Sequence, residues 1–208
     1  MSRRVDLPEP DTTGRCRTLR SLFDETVRLH GEHIARTFYR DGAWRTMTYE
    51  ELKTIVASLA EALSSLGARP QKEPVLLLLD NSPTLLECSL ACGTTGIVQV
   101  PVNPKLWPED VATIAERSHA CIAITSSAHL GVMAAPLFAE RIVERLDAQL
   151  ARNLLARLLM KCGLGWLVGR QVARSFGGRL RYIVVDDAPC SARVLETFKR
   201  LGIGIIEP

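Results

Sequence analysis

The chain has 208 residues, 47% of them hydrophobic and 24% charged, with a formal net charge of +3. That length supports one substantial core and falls short of two independent ones, so a single α/β domain is expected. The mild positive balance, with no basic residues interleaved among aromatic platforms, excludes the usual composition of a nucleic-acid binder.

Met1 to Arg15 reads as a mobile, disordered arm, because Arg3 and Arg4 are followed by Asp, Pro, Thr and Gly rather than by an apolar segment. It has the pattern of neither a signal peptide nor an anchor. From Thr18 a helical stripe of Leu19, Leu22, Phe23 and Val27 follows, with Gly31 placed to take a left-handed stop. Ile34 to Tyr39 and Trp44 to Met47 flank Asp41-Gly42, a two-residue hairpin signal. Thr48 and Glu51 then form a capping box that opens a stripe of Leu52, Ile55, Val56, Leu59, Leu63 and Leu66, ending at Gly67.

A parallel-sheet rhythm comes next. Val75 to Leu79 is a continuous apolar run, as a strand covered on both faces requires, and Ser82-Pro83 starts the crossover helix through Leu85, Leu86 and Leu90. Ile97 to Val102 is the next strand, Pro108 to Arg117 the next helix, and Cys121 to Thr125 a further strand. Repeated β-α-β units of this length imply a doubly wound, mainly parallel sheet. After the basic segment Arg141 to Arg181, Tyr182 to Val185 is a buried strand ending in Asp186 and Asp187, and Ser191 caps a last helix of Val194, Leu195, Phe198 and Leu201 that stops at Gly202.

The six cysteines, at 16, 88, 92, 121, 162 and 190, include no C-x-x-C pair and read as reduced cytosolic thiols. Cys88 and Cys92 share a helix face at i, i+4, where small apolar side chains packing a helix on a sheet are preferred to a metal pair. His30-x-x-His33 lacks any carboxylate or thiol in pattern and reads as surface, so no metal ligands are assigned.

Several of these segments resemble one family in order and spacing. Thr48-Tyr49-Glu50-Glu51-Leu52 stands where the long-chain fatty acyl-CoA synthetases of the adenylate-forming superfamily have Thr-Tyr-x-Glu-Leu. Asn81-Ser82-Pro83 matches the turn after their first buried strand, and Val100-Pro101-Val102-Asn103-Pro104 their Val-Pro-Leu-Asn-Pro turn. Phe176 to Pro189 resembles the segment that ends in their Ser-Gly-Gly-Ala-Pro turn, which lies against the adenine of ATP. Trp107-Pro108-Glu109 departs from the usual Thr-Pro-Glu and removes a hydroxyl cap worth about 1 kcal/mol.

The resemblance runs in two blocks, 16–127 and 128–208, joined where relatives carry the Thr-Ser-Gly-Thr-Thr-Gly-x-Pro-Lys-Gly loop. Gly131 to Phe138 already resembles a much later segment, Val-Met-Thr-Ala-Val-Pro-x-Phe. The resemblance implies fatty-acid activation through an acyl-adenylate, with ATP, Mg²⁺ and CoA as the cofactors of intact relatives. With the loop, Tyr-Gly-x-Thr-Glu and the catalytic Lys missing, the expectation for this chain is no cofactor, no assignable catalytic residue and no activity alone. The alternatives are a non-catalytic acyl-binding, membrane-binding or partner-docking module, or one half of a split ligase.

Gly93-Thr94-Thr95-Gly96 repeats the centre of the missing loop, but Ile97-Val98 follows in place of Pro-Lys-Gly, so a helix-to-strand turn is expected. Asp187, Ala188 and Pro189 are the vestigial adenine-wall positions that the resemblance implies. Adjacent carboxylates leaving a strand point to opposite faces, so Asp186 and Asp187 read as a solvated turn rather than as Mg²⁺ ligands or an acid/base pair. Either would also fill space left by glycine and repel a polyphosphate.

Arg141 to Arg181 is basic and leucine-rich, suited either to covering the sheet or to lying on an anionic membrane surface, and too charged to span one. The expected localisation is cytoplasmic or membrane-peripheral. The partners to expect are a fatty acid or such a surface, a second copy, or a complementing ligase chain. Excision from a doubly wound domain is expected to leave Val75–Leu79 or Tyr182–Val185 as unpaired edges that drive self-association.

Overall fold

The computed structural model describes residues 18–40, 42–138, 178–187, 195, 198–199 and 202–207. The N-terminal arm, the basic stretch up to residue 177, Asp41 and the Ser191 cap lie outside the described residues.

Helix α1 (Leu19–His30) opens on Thr18, whose hydroxyl accepts the Ser21 N–H at 3.1 Å. Its buried stripe is narrower than predicted: Phe23 and Val27 are buried, whereas Leu19 and Leu22 remain 45% and 46% exposed. The expected left-handed stop at Gly31 is also corrected, because Gly31 stays right-handed at φ −47. Crowding accounts for glycine there, since a β-carbon would lie 2.9 Å from the Val27 carbonyl oxygen.

Strands β1 (Ile34–Arg40) and β2 (Ala43–Thr48) pair antiparallel, with Arg40 opposite Ala43 across the predicted two-residue turn. Gly42 sits at φ +77, the left-handed conformation that an Asp-Gly hairpin needs. Helix α2 (Tyr49–Ser65) begins with the complete capping box: Glu51 N–H donates to Thr48 Oγ1 at 3.2 Å, and Thr48 N–H donates to Glu51 Oε2 at 2.8 Å.

The main sheet follows from β3 (Val75–Leu78), β4 (Gln99–Pro101), β5 (Ile122–Thr125), β6 (Tyr182–Val185) and β7 (Gly204–Ile206). All pair parallel, in the order β4-β3-β5-β6-β7. Between them run α3 (Pro83–Thr95), capped by Ser82, then α4 (Pro108–Ser118) and α5 (Ser127–Phe138). Trp107 precedes α4 without a side-chain cap, as its replacement of a threonine predicts.

Successive side chains of a strand point to opposite faces, and here both faces are covered. Val75, Leu77, Ile122 and Ile124 pack with Phe23, Leu52, Val56, Cys88 and Cys92 of the first three helices. Leu76, Leu78, Ala123, Ile183 and Val185 pack with Val111, Ala115, Leu130, Met133 and Phe198 on the other face. Residues from 76 to 203 therefore share one core on this face.

The predicted exposed edges are overturned by the pairing. Strand β3 lies between β4 and β5, and β6 lies between β5 and β7, so neither long apolar run is an edge. The strands that close this five-stranded sheet, β4 and β7, have three residues each, and short edge strands are one way of limiting edge-to-edge association.

The hairpin is fixed to the sheet layer by Arg36. Its guanidinium donates to the Pro83 carbonyl at 2.8 Å and pairs with Glu87, both side chains being largely buried. The same guanidinium lies over the Phe38 ring, 5.1 Å from its centroid.

Candidate functional site at the carboxyl ends of the strands

The chain leaves β3 to form β4 on one side, then returns past β3 to form β5 on the other. That reversal makes the β3/β5 boundary the topological switch point, where open α/β sheets leave a crevice at the carboxyl ends of their strands. Asp80 follows β3 there, and Ser126, Ser127 and His129 follow β5 on the first turn of α5.

Asp80 and His129 meet across the crevice, with His129 Nε2 2.6 Å from Asp80 Oδ2. The ring is largely buried and the carboxylate is 65% exposed, so the pair presents a wet acid held by a sheltered imidazole. Opposite a carboxylate the ring nitrogen is the donor, which orients the imidazole.

Next along the sheet, the Asp186 N–H donates to the Thr125 carbonyl at 3.0 Å, extending the β5–β6 ladder by one residue. Asp187 then turns its Oδ1 onto the Ser127 backbone N–H at 2.6 Å. The two carboxylates do diverge in role, as alternation predicts, but Asp187 is more than a solvated turn residue. It satisfies an otherwise orphaned donor at the start of α5. Ala188 and Pro189, the other two positions that the resemblance assigns to an adenine wall, lie outside the described residues.

Beside this crevice, at the ends of β3 and β4, is a cleft of about 440 Å³. Its walls include Leu77, Leu79, Leu85 and Val102, with Asp80 and Lys105 among its polar lining. Asn103 Oδ1 accepts the Lys105 N–H at 2.9 Å, which folds the turn after β4 and sets where Lys105 leaves the chain.

Gly93-Thr94-Thr95-Gly96 lies at the opposite end of the sheet. It closes α3, with Gly96 left-handed at φ +76 and its carbonyl accepting the Gln71 N–H at 3.1 Å, ahead of β3. The threonine hydroxyls donate back into the helix, Thr94 to Leu90 at 2.8 Å and Thr95 to Ala91 at 2.7 Å. Gly93 is small because a β-carbon there would run into the Leu19 side chain of α1. The segment is a helix end and a packing contact, as expected, and it is not a phosphate cradle.

Cys88 and Cys92 are buried on α3, and burial pushes their thiols up to about 12 and about 11. His30 and His33 stack on the surface at 5.3 Å. Among the described residues, no three His, Cys, Asp or Glu side chains converge to hold a metal. No helix among them is long and apolar enough to cross a membrane.

The Asp80–His129 pair, the cleft and the Asp187 cap were not assigned from the sequence. Asp80 directly follows the apolar run Val75 to Leu79, but its partner depends on β5 lying beside β3. No short-range pattern encodes that.

A doubly wound sheet with its crevice at this switch point is the architecture of an α/β domain that takes ligands at the carboxyl ends of its strands. The chain belongs to the AMP-binding enzyme family, whose model matches residues 23–160. It is 30% identical to the crotonobetaine/carnitine–CoA ligase of Salmonella paratyphi A over 52% of this chain and 21% of that protein. It is also 30% identical to the phosphinothricin tripeptide synthetase PhsC of Streptomyces viridochromogenes over 61% of this chain and 11% of that protein. Its fold matches the anthranilate CoA ligase AuaEII in complex with anthranoyl-AMP, with a TM-score of 0.57 at 17% identity over 89% of this chain and 27% of that one. The chain thus spans between about a tenth and a fifth of the length of these curated relatives.

The triphosphate of ATP, which the family resemblance implies, does not fit the described residues at this crevice, and no three carboxylates among them converge to hold its Mg²⁺. Asp80, Asp186 and Asp187 all lie at the strand ends, and the Ser127 N–H of α5 is already occupied by Asp187. Like charges this close to a triphosphate raise its energy, and the missing loop lysine would have been the counterweight.

Proposed function

We propose that this chain is a relative of the fatty acyl-CoA synthetases that forms no acyl-adenylate by itself. The observation that carries the reading is the position of Gly93-Thr94-Thr95-Gly96 at the far end of the sheet from the switch point. No other segment of the chain offers a glycine-rich loop followed by lysine. Adenylate formation depends on amides and cations aimed at the transferring group, and the described strand ends carry Asp80, Asp186 and Asp187 against the single lysine, Lys105, of the neighbouring cleft. In this reading, catalysis requires residues contributed from outside this stretch, either by a complementing ligase chain or by further sequence.

Pyrophosphate exchange with ATP and a panel of fatty acids tests the proposal. The expected result is exchange no greater than a buffer blank, and fatty-acid-dependent exchange by the purified chain refutes it. Calorimetric titration of the Asp186→Gly/Asp187→Gly double variant with ATP separates two causes. Its expected silence means that the crevice lacks a phosphate grip, whereas micromolar binding means that the carboxylates alone had closed a complete site.

A further inference from the structure

We propose that the amino ends of β3 and β6 form a docking surface for an acidic polypeptide segment. The proposal goes beyond the reading above, since it concerns the end of the sheet opposite the switch point and needs no adenylate chemistry.

Backbone pairing brings the residues together. The Cys121 N–H donates to the Pro74 carbonyl at 3.0 Å, and the Arg181 N–H donates to the Cys121 carbonyl at 2.8 Å, so the chain just ahead of β3, β5 and β6 runs side by side. Arg69, Lys72 and Glu73 stand on the loop before β3, and Arg179 and Arg181 stand just before β6.

The one carboxylate of this group is already matched. The Arg69 guanidinium donates to both Glu73 oxygens, Nε to Oε2 at 2.9 Å and Nη2 to Oε1 at 2.5 Å. That hydrogen bonding first, and the charges of Arg69, Arg181 and Lys72 after it, hold the Glu73 carboxyl below its usual value. Arg181 Nη1 lies 3.5 Å from where a β-carbon on Gly67 would sit, beside the carbonyl end of α2, which favours a cation. Lys72, Arg179 and Arg181 are exposed and have no ion-pair partner among the described residues. The charge left to be matched is therefore positive.

Spacing sets the class of partner. Strand β5 lies between β3 and β6, so the backbone ahead of β3 is two strand spacings, about 9.6 Å, from that ahead of β6. Arg179 and Arg181 are exposed on either side of the buried Leu180. Alternate side chains of an extended chain are about 6.6 Å apart, and alternate carboxylates of an extended acidic segment repeat at the same interval. A spread of this kind suits several carboxylates in series better than one phosphate, and each guanidinium fork matches a carboxylate. Leu180 points into the core, so no apolar side chain projects between the two arginines as insertion into a lipid interface requires.

Fluorescence anisotropy of a labelled hexaglutamate peptide with the full chain at low ionic strength is the test. The expected outcome is saturable binding that weakens as salt is added, because exposed charges are screened. Arg179→Gln with Arg181→Gln is expected to weaken it about tenfold, the upper range for two exposed charge pairs, and Lys72→Gln about threefold. Arg20→Gln with Arg28→Gln removes the same two charges from α1 and is expected to stay within about twofold of the parent. Lys72→Gln, on the exposed loop, gives the deciding measurement if the Arg179/Arg181 double variant loses the parent's thermal melt. Absence of saturable binding, or equal weakening by the α1 double variant, would overturn the proposal. Displacement of the peptide by an equimolar amount of inorganic phosphate overturns it too, because a single anion then suffices. So does loss of phosphatidylserine-vesicle binding in the Arg179/Arg181 double variant with hexaglutamate binding intact, which assigns the surface to lipid. No ATP is present, so each outcome is independent of the pyrophosphate-exchange result.

Discussion

Asp187 and Ser127 are separated by sixty residues, and the carboxylate of the first accepts the backbone N–H of the second at 2.6 Å. The contact joins the end of β6 to the start of α5 at the carboxyl ends of the strands. A carboxylate is also what a helix N-terminus favours, because the first N–H groups carry partial positive charge. This gives a structural reason for an acid at Asp187, where the family resemblance implies glycine.

Removing that cap has a measurable cost. Asp187→Ala is expected to lower stability by about 1 kcal/mol, as loss of a helix cap does, and Asp187→Asn to lose less because an acceptor oxygen remains. Urea unfolding of the three proteins checks this, and an alanine variant as stable as the parent shows that the contact contributes nothing.

Arg36 and Glu87 form the most sheltered ion pair among the described residues, with side chains 10% and 14% exposed. Arg36→Met leaves Glu87 facing apolar neighbours, and a loss of about 3 kcal/mol is expected. Arg36→Met with Glu87→Leu should recover much of that loss, since neither charge is then stranded. A double-mutant cycle read by denaturant midpoint decides it, and additive losses would mean that the two groups do not act as a pair.

The capping box of α2 makes part of the stability pH-dependent. The Thr48 backbone N–H first, and its hydroxyl second, hold the Glu51 carboxyl below its ordinary value of 4.5. A carboxyl lowered in the folded state contributes fully above its unfolded value, and the contribution is lost as pH falls through the folded one. The stability difference between the parent and Glu51→Gln is thus expected to be constant near neutrality and to shrink below about pH 4.5. Chemical denaturation across that range measures it, and a difference that does not change with pH rules the linkage out.

The buried thiols should be chemically silent in the native chain. Burial raises Cys88 to about 12 and Cys92 to about 11, and it raises Cys121 as well, so thiolate is scarce at pH 8. Iodoacetamide followed by peptide mass spectrometry is expected to show these three protected until denaturant is added. Native-state alkylation of Cys88 at the rate of a free thiol would show that α3 opens readily.

Much of the fold was legible because its signals are local. A capping box, an Asp-Gly turn and Ser82-Pro83 each act within three or four residues, and all three form where the pattern places them. The apolar run from Val75 is read as strand because burial on both faces removes alternation, and all four residues of β3 are fully buried. The misplaced features are those that neighbours decide. Gly31 stays right-handed at the α1 end, Leu19 is only partly covered beside Gly93, and β6 gains β7 as a second flank.

The sequence by itself determined the types of the elements from α1 to β5 and of β6, the family and the absence of a lysine-bearing phosphate loop, since each is carried by adjacent residues or by their order, whereas α5 and β7 were not read from it. Only the tertiary structure decided the site. Asp80–His129, Arg36–Glu87 and Asp187–Ser127 join residues 49, 51 and 60 positions apart. Such pairs depend on which strands become neighbours, and strand order is settled by the packing of two helical layers on one sheet rather than by any short-range pattern along the chain.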